Sequence, residues 1–122
     1  MTAEAAARRI LVVEDEMLIA LDLDLVLRRA GYEVVGPAGR VGEALRLLAR
    51  EPGLDGALLD VQVDEETVFP VADALVARGV PFLFLSGYGT DILPPAHRAR
   101  PCLIKPYSTR TLIAALARIV PD

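Results

Sequence analysis

Apolar and polar positions along the chain follow two alternating patterns, one suited to buried strands and one to helices. Ile10–Val13 is a short aliphatic run cut off by Glu14-Asp15-Glu16, as a strand covered on both faces would be. A helical segment follows to about Arg29, with Gly31 placed to cap it in the left-handed conformation. Tyr32–Val35 reads as a second strand, closed by Gly36-Pro37. Val41–Ala49 is helical by its Ala, Leu and Arg content and stops before Pro52-Gly53. Ala57–Leu59 is a third strand running into Asp60, and Val68–Ala77 a third helix closed by Gly79. Phe82–Leu85 is a fourth strand running into Ser86-Gly87, and Cys102–Ile104 a fifth running into Lys105-Pro106. Ser108 or Thr109 then caps a last helix reaching Val120. Between the fourth and fifth strands, Gly89–Arg100 has no clear period, and Pro94-Pro95 removes two amide donors. Any helix between Thr90 and Arg100 is therefore expected to be short, at most about two turns, and mobile relative to the core.

Strands alternating with helices predict βαβ units on a parallel sheet with helices on both faces. Right-handed crossovers leave few topologies. The expected fold is α/β, a flavodoxin-like (βα)5 three-layer sandwich whose five-stranded parallel sheet has the order 2-1-3-4-5. The 122 residues fit one domain, 9–122, behind a flexible lead-in of residues 1–8. A hydrophobic content of 53% supports a core, so disorder is not expected. The net charge of −4 and the absence of any Lys/Arg run argue against a nucleic-acid partner. A single cysteine, Cys102, excludes an internal disulfide. Met1–Arg9 lacks the apolar core of a signal peptide, and no apolar stretch approaches the ~20 residues of a membrane span. The expectation is a cytoplasmic protein without a membrane partner.

One regularity points to chemistry. Glu14 and Asp15, Asp60, Ser86 and Lys105 all stand just past the C-terminal ends of aliphatic strands. In a parallel sheet those ends share one edge, where ligands bind at the switch in strand order. Three carboxylates brought together repel one another unless one takes a proton or a cation joins them. Mg²⁺ suits such a set, because it binds through one or two carboxylates and keeps waters and phosphate oxygens. Lys105 adds a mobile positive charge, and a carboxylate so placed can attack phosphorus to form an aspartyl phosphate. A purely structural ion-pair network fits less well, since three acids and one lysine do not balance.

The segments ILVVEDE, ALLDV, FLFLSGYG and LIKPY, in this order and spacing, resemble the receiver domains of two-component response regulators over nearly the whole chain. The resemblance implies that Asp60 is the phospho-acceptor. It implies that Glu14, Asp15 and Asp60 hold Mg²⁺ together with the backbone carbonyl of Gln62. Ser86 would hydrogen-bond the phosphoryl group and Lys105 would pair with it, across a peptide bond to Pro106 that is often cis in the family. Phe84–Tyr88 also resembles a subgroup with a FATG-type fourth strand, many of whose members are single-domain receivers. The implied partner is a sensor histidine kinase or phosphotransfer protein, and the chain is expected to be no enzyme beyond its own phosphorylation and dephosphorylation. The kinase, the downstream target and the phosphate lifetime are not legible.

Several residues depart from the pattern or stand outside it. Glu14 replaces the usual aspartate and is expected to reach the metal through water. Gln62–Glu66 is more acidic than the glycine-rich loop expected after the acceptor; it either raises the local metal concentration or, the favoured reading, is a solvated loop. Cys102 stands three before the lysine, where many receivers carry an aromatic, and reads as a small buried strand residue. Tyr88, two past Ser86, either tunes phosphate lifetime or edges the pocket. His97, the sole histidine, lies in a Pro/Arg-rich stretch with no acid near it in sequence and is expected to be exposed. On the first helix, Ile19, Leu23, Val26, Leu27 and Ala30 form a face for the sheet. Leu18, Leu21 and Leu25 form a second stripe that suggests an interaction site; the resemblance implies that it docks the kinase, with homodimerisation or unremarkable exposed leucines as the alternatives.

Two other classes fit the sequence less well. A haloacid-dehalogenase-type phosphohydrolase also forms an aspartyl phosphate, but Val61-Gln62 after the acceptor breaks its Asp-x-Asp motif. A pseudo-receiver binding partners without phosphorylation would not need Asp60, Asp15, Ser86 and Lys105 together.

Overall fold

The computed structural model describes residues 7–87 and 93–120. Its elements are β1 (Arg9–Val13), α1 (Met17–Arg29), β2 (Glu33–Ala38), α2 (Val41–Arg50), β3 (Gly56–Asp60), β4 (Gln62–Val63), β5 (Glu66–Thr67), α3 (Phe69–Ala77), β6 (Phe82–Ser86), a 3₁₀ turn (Pro95–His97), β7 (Cys102–Ile104) and α4 (Thr109–Ile119). The main sheet runs β2-β1-β3-β6-β7, all parallel, and β4 and β5 form a separate antiparallel pair. Leaving out that small pair, the order is the expected 2-1-3-4-5.

Period-two alternation along the strands divides the core into two layers. Leu11, Val13, Ala57, Leu59, Phe82 and Phe84 face α2 and α3, whose Val41, Ala44, Leu48, Val71, Ala72 and Leu75 cover them. Ile10, Val12, Leu58, Leu83 and Leu85 face α1 and α4, through Leu23, Leu27, Leu112 and Leu116. Burial of one such side chain contributes roughly 1.5–3 kcal/mol, and the central strands β3 and β6 are buried at every position. This double cover makes their C-terminal ends rigid platforms.

The helix ends follow local chemistry. Ser108 caps α4, its Oγ accepting from the Thr111 amide at 3.0 Å. Gly31 and Gly79, past the ends of α1 and α3, take the left-handed conformation. On α1, Leu23 and Leu27 are buried as expected and Ile19 and Val26 half-buried, whereas Ala30 is exposed and Ala20, near the start of the helix, is buried.

Two expectations are corrected. β2 does not stop before Gly36-Pro37 but runs through it to Ala38. Gly36 adopts φ +96 ahead of a cis bond to Pro37, and a Cβ there would meet the Ala38 nitrogen at 2.8 Å. Glycine thus lets the strand continue with a one-residue slip in register against β1. Second, Gln62–Glu66 is a β4–β5 hairpin rather than an open loop: Val63 is fully buried, while Gln62, Asp64, Glu65 and Glu66 are exposed, as expected of solvated charges.

The described part of the fourth crossover contains a single 3₁₀ turn, within the two turns allowed by Pro94-Pro95. It is nevertheless anchored. Leu93 is 1% and His97 3% exposed, so the expectation of an exposed histidine is wrong. His97 Nε2 lies 2.7 Å from Asp73 Oδ1 on α3, and its ring packs against Phe69, Phe82 and Phe84 at centroid distances of 5.7–6.0 Å. The acid absent from its sequence neighbourhood comes from another element, 24 positions away.

Candidate functional site

Strand register brings the polar residues together. Val13 pairs with Leu59, so Glu14 and Asp60 each lie one step past a matched pair. Asp60 in turn pairs with Leu85, just before Ser86, and Ser86 pairs with Ile104, just before Lys105. The staggered edge therefore carries Glu14, Asp60, Ser86 and Lys105 on four adjacent strand ends. Two backbone bonds hold the outer members: Glu14 N donates to Ala38 O at 2.9 Å, and Lys105 N to Ser86 O at 2.7 Å. The Lys105–Pro106 bond is cis, as the resemblance implied.

The side chains converge. Lys105 Nζ lies 2.7 Å from Asp60 Oδ1 and 3.5 Å from Glu14 Oε1. Oxygens of Glu14, Asp15 and Asp60 all lie within 4.8 Å of one another. Glu14, Asp60 and Ser86 are buried, and Asp15 is exposed. Glu14 Oε2 also accepts from the Glu16 amide at 3.1 Å, which turns its longer side chain back into the cluster.

Burial pushes the Glu14 carboxyl up to about 7, against the Glu16 amide, with the Asp60 charge raising it further. Burial raises Asp60 as well, and its hydrogen bond and ion pair with Lys105 offset this only in part. Lys105 is itself raised: burial opposes its charge, and Asp60 and Glu14 together outweigh that. Two buried carboxyls pushed upward beside one lysine and the exposed Asp15 mark an excess of negative charge. A hard divalent cation among these oxygens would relieve it, so the residues present fit a metal site.

Of the residues singled out from sequence, Glu14, Asp15, Asp60, Ser86 and Lys105 come together at one edge. Gln62 follows Asp60 by two positions at the base of the hairpin, with an exposed side chain. Tyr88 lies outside the described residues. Cys102 is half-buried on β7, where burial pushes its thiol up, away from the reactive thiolate. Leu18, Leu21 and Leu25 are 82%, 56% and 48% exposed, and Met17 joins them at 75%. Leu21 and Met17 also line a cleft of about 250 Å³ beside Glu14 and Asp15.

Sequence reasoning missed the Asp64 amide, which donates to Asp15 Oδ2 at 2.9 Å, and Arg40, whose Nε is 3.5 Å from Asp64 Oδ2. No signal announced them, since a tight hairpin turn is normally marked by Asn-Gly or Asp-Gly and this one reads Asp64-Glu65.

No family model matches the chain. It is 38% identical to SdrG from Sphingomonas melonis Fr1, over 95% of this chain and 98% of that one, with a TM-score of 0.80. SdrG has also been solved in a BeF3-activated conformation, under the source name Pseudomonas melonis Fr1, at the same identity and a TM-score of 0.76, covering 96% and 99% of the two chains. The transcriptional regulatory protein PdtaR of Mycobacterium tuberculosis is 34% identical over 117 residues, 92% of this chain and 56% of that protein. The phyllosphere-induced regulator PhyR of Methylorubrum extorquens is 30% identical over 118 residues, 92% of this chain and 43% of PhyR. The chain thus spans about half the length of the curated relatives it matches. Among the described residues, no helix is long and apolar enough to cross a membrane.

Proposed function

Since this chain belongs to the receiver domains of response regulators, we propose that Asp60 takes a phosphoryl group from a histidine kinase or phosphotransfer protein, with Mg²⁺ held by Glu14, Asp15, Asp60 and the Gln62 carbonyl. The observation that carries this reading is the convergence of three carboxylates and Lys105 at the end of the central strand β3, with Asp60 between the acidic pair and the ammonium.

The chain's own groups have defined tasks. Lys105, 2.7 Å from Asp60 Oδ1, favours the ionised and hence nucleophilic form of that carboxyl. An Asp60 oxygen forms the new bond to phosphorus as the bond to the donor breaks, and the leaving group takes the electron pair. Lys105 then offsets charge on the transferring oxygens, and the Ser86 hydroxyl hydrogen-bonds one of them. When bound by Glu14, Asp15, Asp60 and the Gln62 carbonyl, Mg²⁺ would supply further positive charge there. The domain catalyses only its own phosphorylation and dephosphorylation, in the cytoplasm, and its output is a change in partner binding. The BeF3-activated conformation of SdrG supports a switch of this kind in a close relative.

The partner's docking surface is the exposed stripe of α1. Leu18 and Leu25 contact the kinase, with Leu21 at the edge, in the cleft beside the acidic pair. A second copy of this chain is the competing occupant. In the test, a Leu18→Ala/Leu25→Ala variant is phosphorylated by acetyl phosphate and by the cognate kinase. Kinase docking requires the kinase reaction to fall about tenfold while the acetyl phosphate reaction holds. Unchanged rates with a shift to monomer in sedimentation would assign the stripe to a dimer. Loss of all labelling in EDTA checks the metal requirement.

A further inference from the structure

The β4–β5 hairpin lies between β3 and α3, where a plain crossover would do. Its ladder is two pairs long, Gln62 with Thr67 and Val63 with Glu66. The turn between them puts Asp64 at φ 49 and Glu65 at φ 67, the non-glycine residues with positive φ among those described. A two-residue turn with both residues left-handed matches the twist of the strands it joins, but glycine or asparagine normally makes it. Side chains held in that region mark a backbone fixed by its surroundings, and such outliers gather at functional sites.

Three contacts fix it. Val63 is fully buried in the α2–α3 layer. Val68 N donates to Val61 O at 2.9 Å, closing the base. At the tip, the Asp64 amide donates to Asp15 Oδ2 at 2.9 Å, linking residues 49 positions apart. The Arg40–Asp64 pair adds little, since its side chains are 77% and 56% exposed. The amide is therefore the contact that reaches the acidic cluster.

We propose that the Asp64 amide is a positioning group for the metal site, fixing Asp15 so that it offers a cation one oxygen and thereby favouring Mg²⁺ over Ca²⁺. This rests on the reading of Glu14, Asp15 and Asp60 as metal ligands. Asp15 is exposed, so without the amide its carboxylate would be free to rotate. Outer partners that orient a ligand typically matter tenfold or more in metal affinity. The selectivity follows from ligand geometry. Ca²⁺ takes six to eight oxygens and commonly grips a carboxylate through both, whereas Mg²⁺ holds a compact octahedron with one oxygen per carboxylate. A hydrogen bond on Oδ2 weakens the two-oxygen grip and leaves the one-oxygen mode intact.

The experiment combines amide exchange on the wild-type protein, with and without Mg²⁺, and calorimetric titration of Mg²⁺ and Ca²⁺. The titrations compare three proteins: wild type, a protein whose Val63–Asp64 peptide bond is replaced by an ester, which removes the amide hydrogen without restricting φ, and Asp64→Asn/Glu65→Gly, which keeps the amide in a relaxed turn. The Asp64 amide is expected to stay protected when Mg²⁺ binds. The Asn/Gly variant should hold Mg²⁺ within about twofold of wild type, and the ester should lose about tenfold while its Mg²⁺/Ca²⁺ ratio narrows. Release of the Asp64 amide on Mg²⁺ binding would overturn the inference, because the bond would then only park Asp15 in the metal-free protein. Unchanged affinity and ratio in the folded ester would overturn it too. If the ester does not fold, the exchange result decides. A wild type that binds neither cation at this cluster would sink the metal-site reading itself, a failure distinct from the other two.

Discussion

Two regions of this domain bury polar side chains, and they do so for opposite reasons. At the sheet edge, Glu14, Asp60 and Lys105 are packed together with more negative than positive charge, and burial pushes the Glu14 carboxyl up to about 7. In the fourth crossover, His97 meets a single acid, Asp73, and is enclosed by three phenylalanine rings. Its Nδ1 is buried without a hydrogen-bond partner among the described residues, while Arg100 lies over the neighbouring Phe82 ring at 5.3 Å. The first arrangement is unbalanced and positioned to react. The second pairs one ring nitrogen with one carboxylate, away from any nucleophile, and serves to pin a segment that two prolines prevent from forming a longer helix. Buried polarity by itself therefore does not mark a reactive site; uncompensated charge beside a nucleophile does.

The comparison breaks most sharply at Asp60. Asp60→Ala should abolish phosphoryl uptake from acetyl phosphate or kinase, yet change stability by no more than about 1 kcal/mol, because Lys105 keeps Glu14 as partner. Radiolabel incorporation and denaturant unfolding measure the two effects, and retained labelling would remove the assignment. His97→Ala should do the reverse. Losing a buried ring amid aromatic neighbours costs roughly 2–4 kcal/mol, while acetyl phosphate still labels the protein. A His97→Ala protein of wild-type stability would show that the pin carries no load.

A smaller effect separates the regions by pH. Glu14 has an ordinary value of 4.5, raised to about 7 in the folded, metal-free protein. Between these values the folded state binds more protons than the unfolded one, so stability must fall as pH rises through the window. The melting temperature without metal should drop on the order of 5 °C between pH 5 and 7.5, and Mg²⁺ should restore most of it at the upper end. A melting temperature that rises over this range without metal would show that Glu14 is not the trapped acid. The smallest effect belongs to the hairpin: Glu65→Gly should stabilise the fold by up to about 1 kcal/mol by relieving the left-handed glutamate. Thermal unfolding reads this, and a loss of stability would mean the Glu65 side chain makes a contact the fold needs.

Much of this was legible in the chain because the governing signals are local or periodic. Each aliphatic run ends in the polar residue that the sheet then places at its edge, so Asp60, Ser86 and Lys105 announced both strand ends and site. The exposed stripe on α1 was likewise legible in the helical period, whereas the cis bond at Pro106 was implied by the family resemblance alone. What stayed hidden depends on distant partners. Nothing near His97 in sequence reveals that Asp73 and three phenylalanines enclose it. Nothing in Asp64-Glu65 reveals a left-handed turn, because the glycine that normally signals one is missing. Gly36-Pro37 misled in the other direction: a breaker pair was read as a strand end, whereas glycine's freedom let β2 continue past it.

The central claim is that strand register makes Asp60, and no other acid at this edge, the nucleophile. The most direct measurement is peptide mapping of the protein after incubation with acetyl phosphate and Mg²⁺, with the acyl phosphate trapped by borohydride reduction. The modification is expected at Asp60 alone, absent in EDTA and absent in Asp60→Ala. Modification at Glu14 or Asp15, or a phosphoryl group on His97 instead, would contradict it.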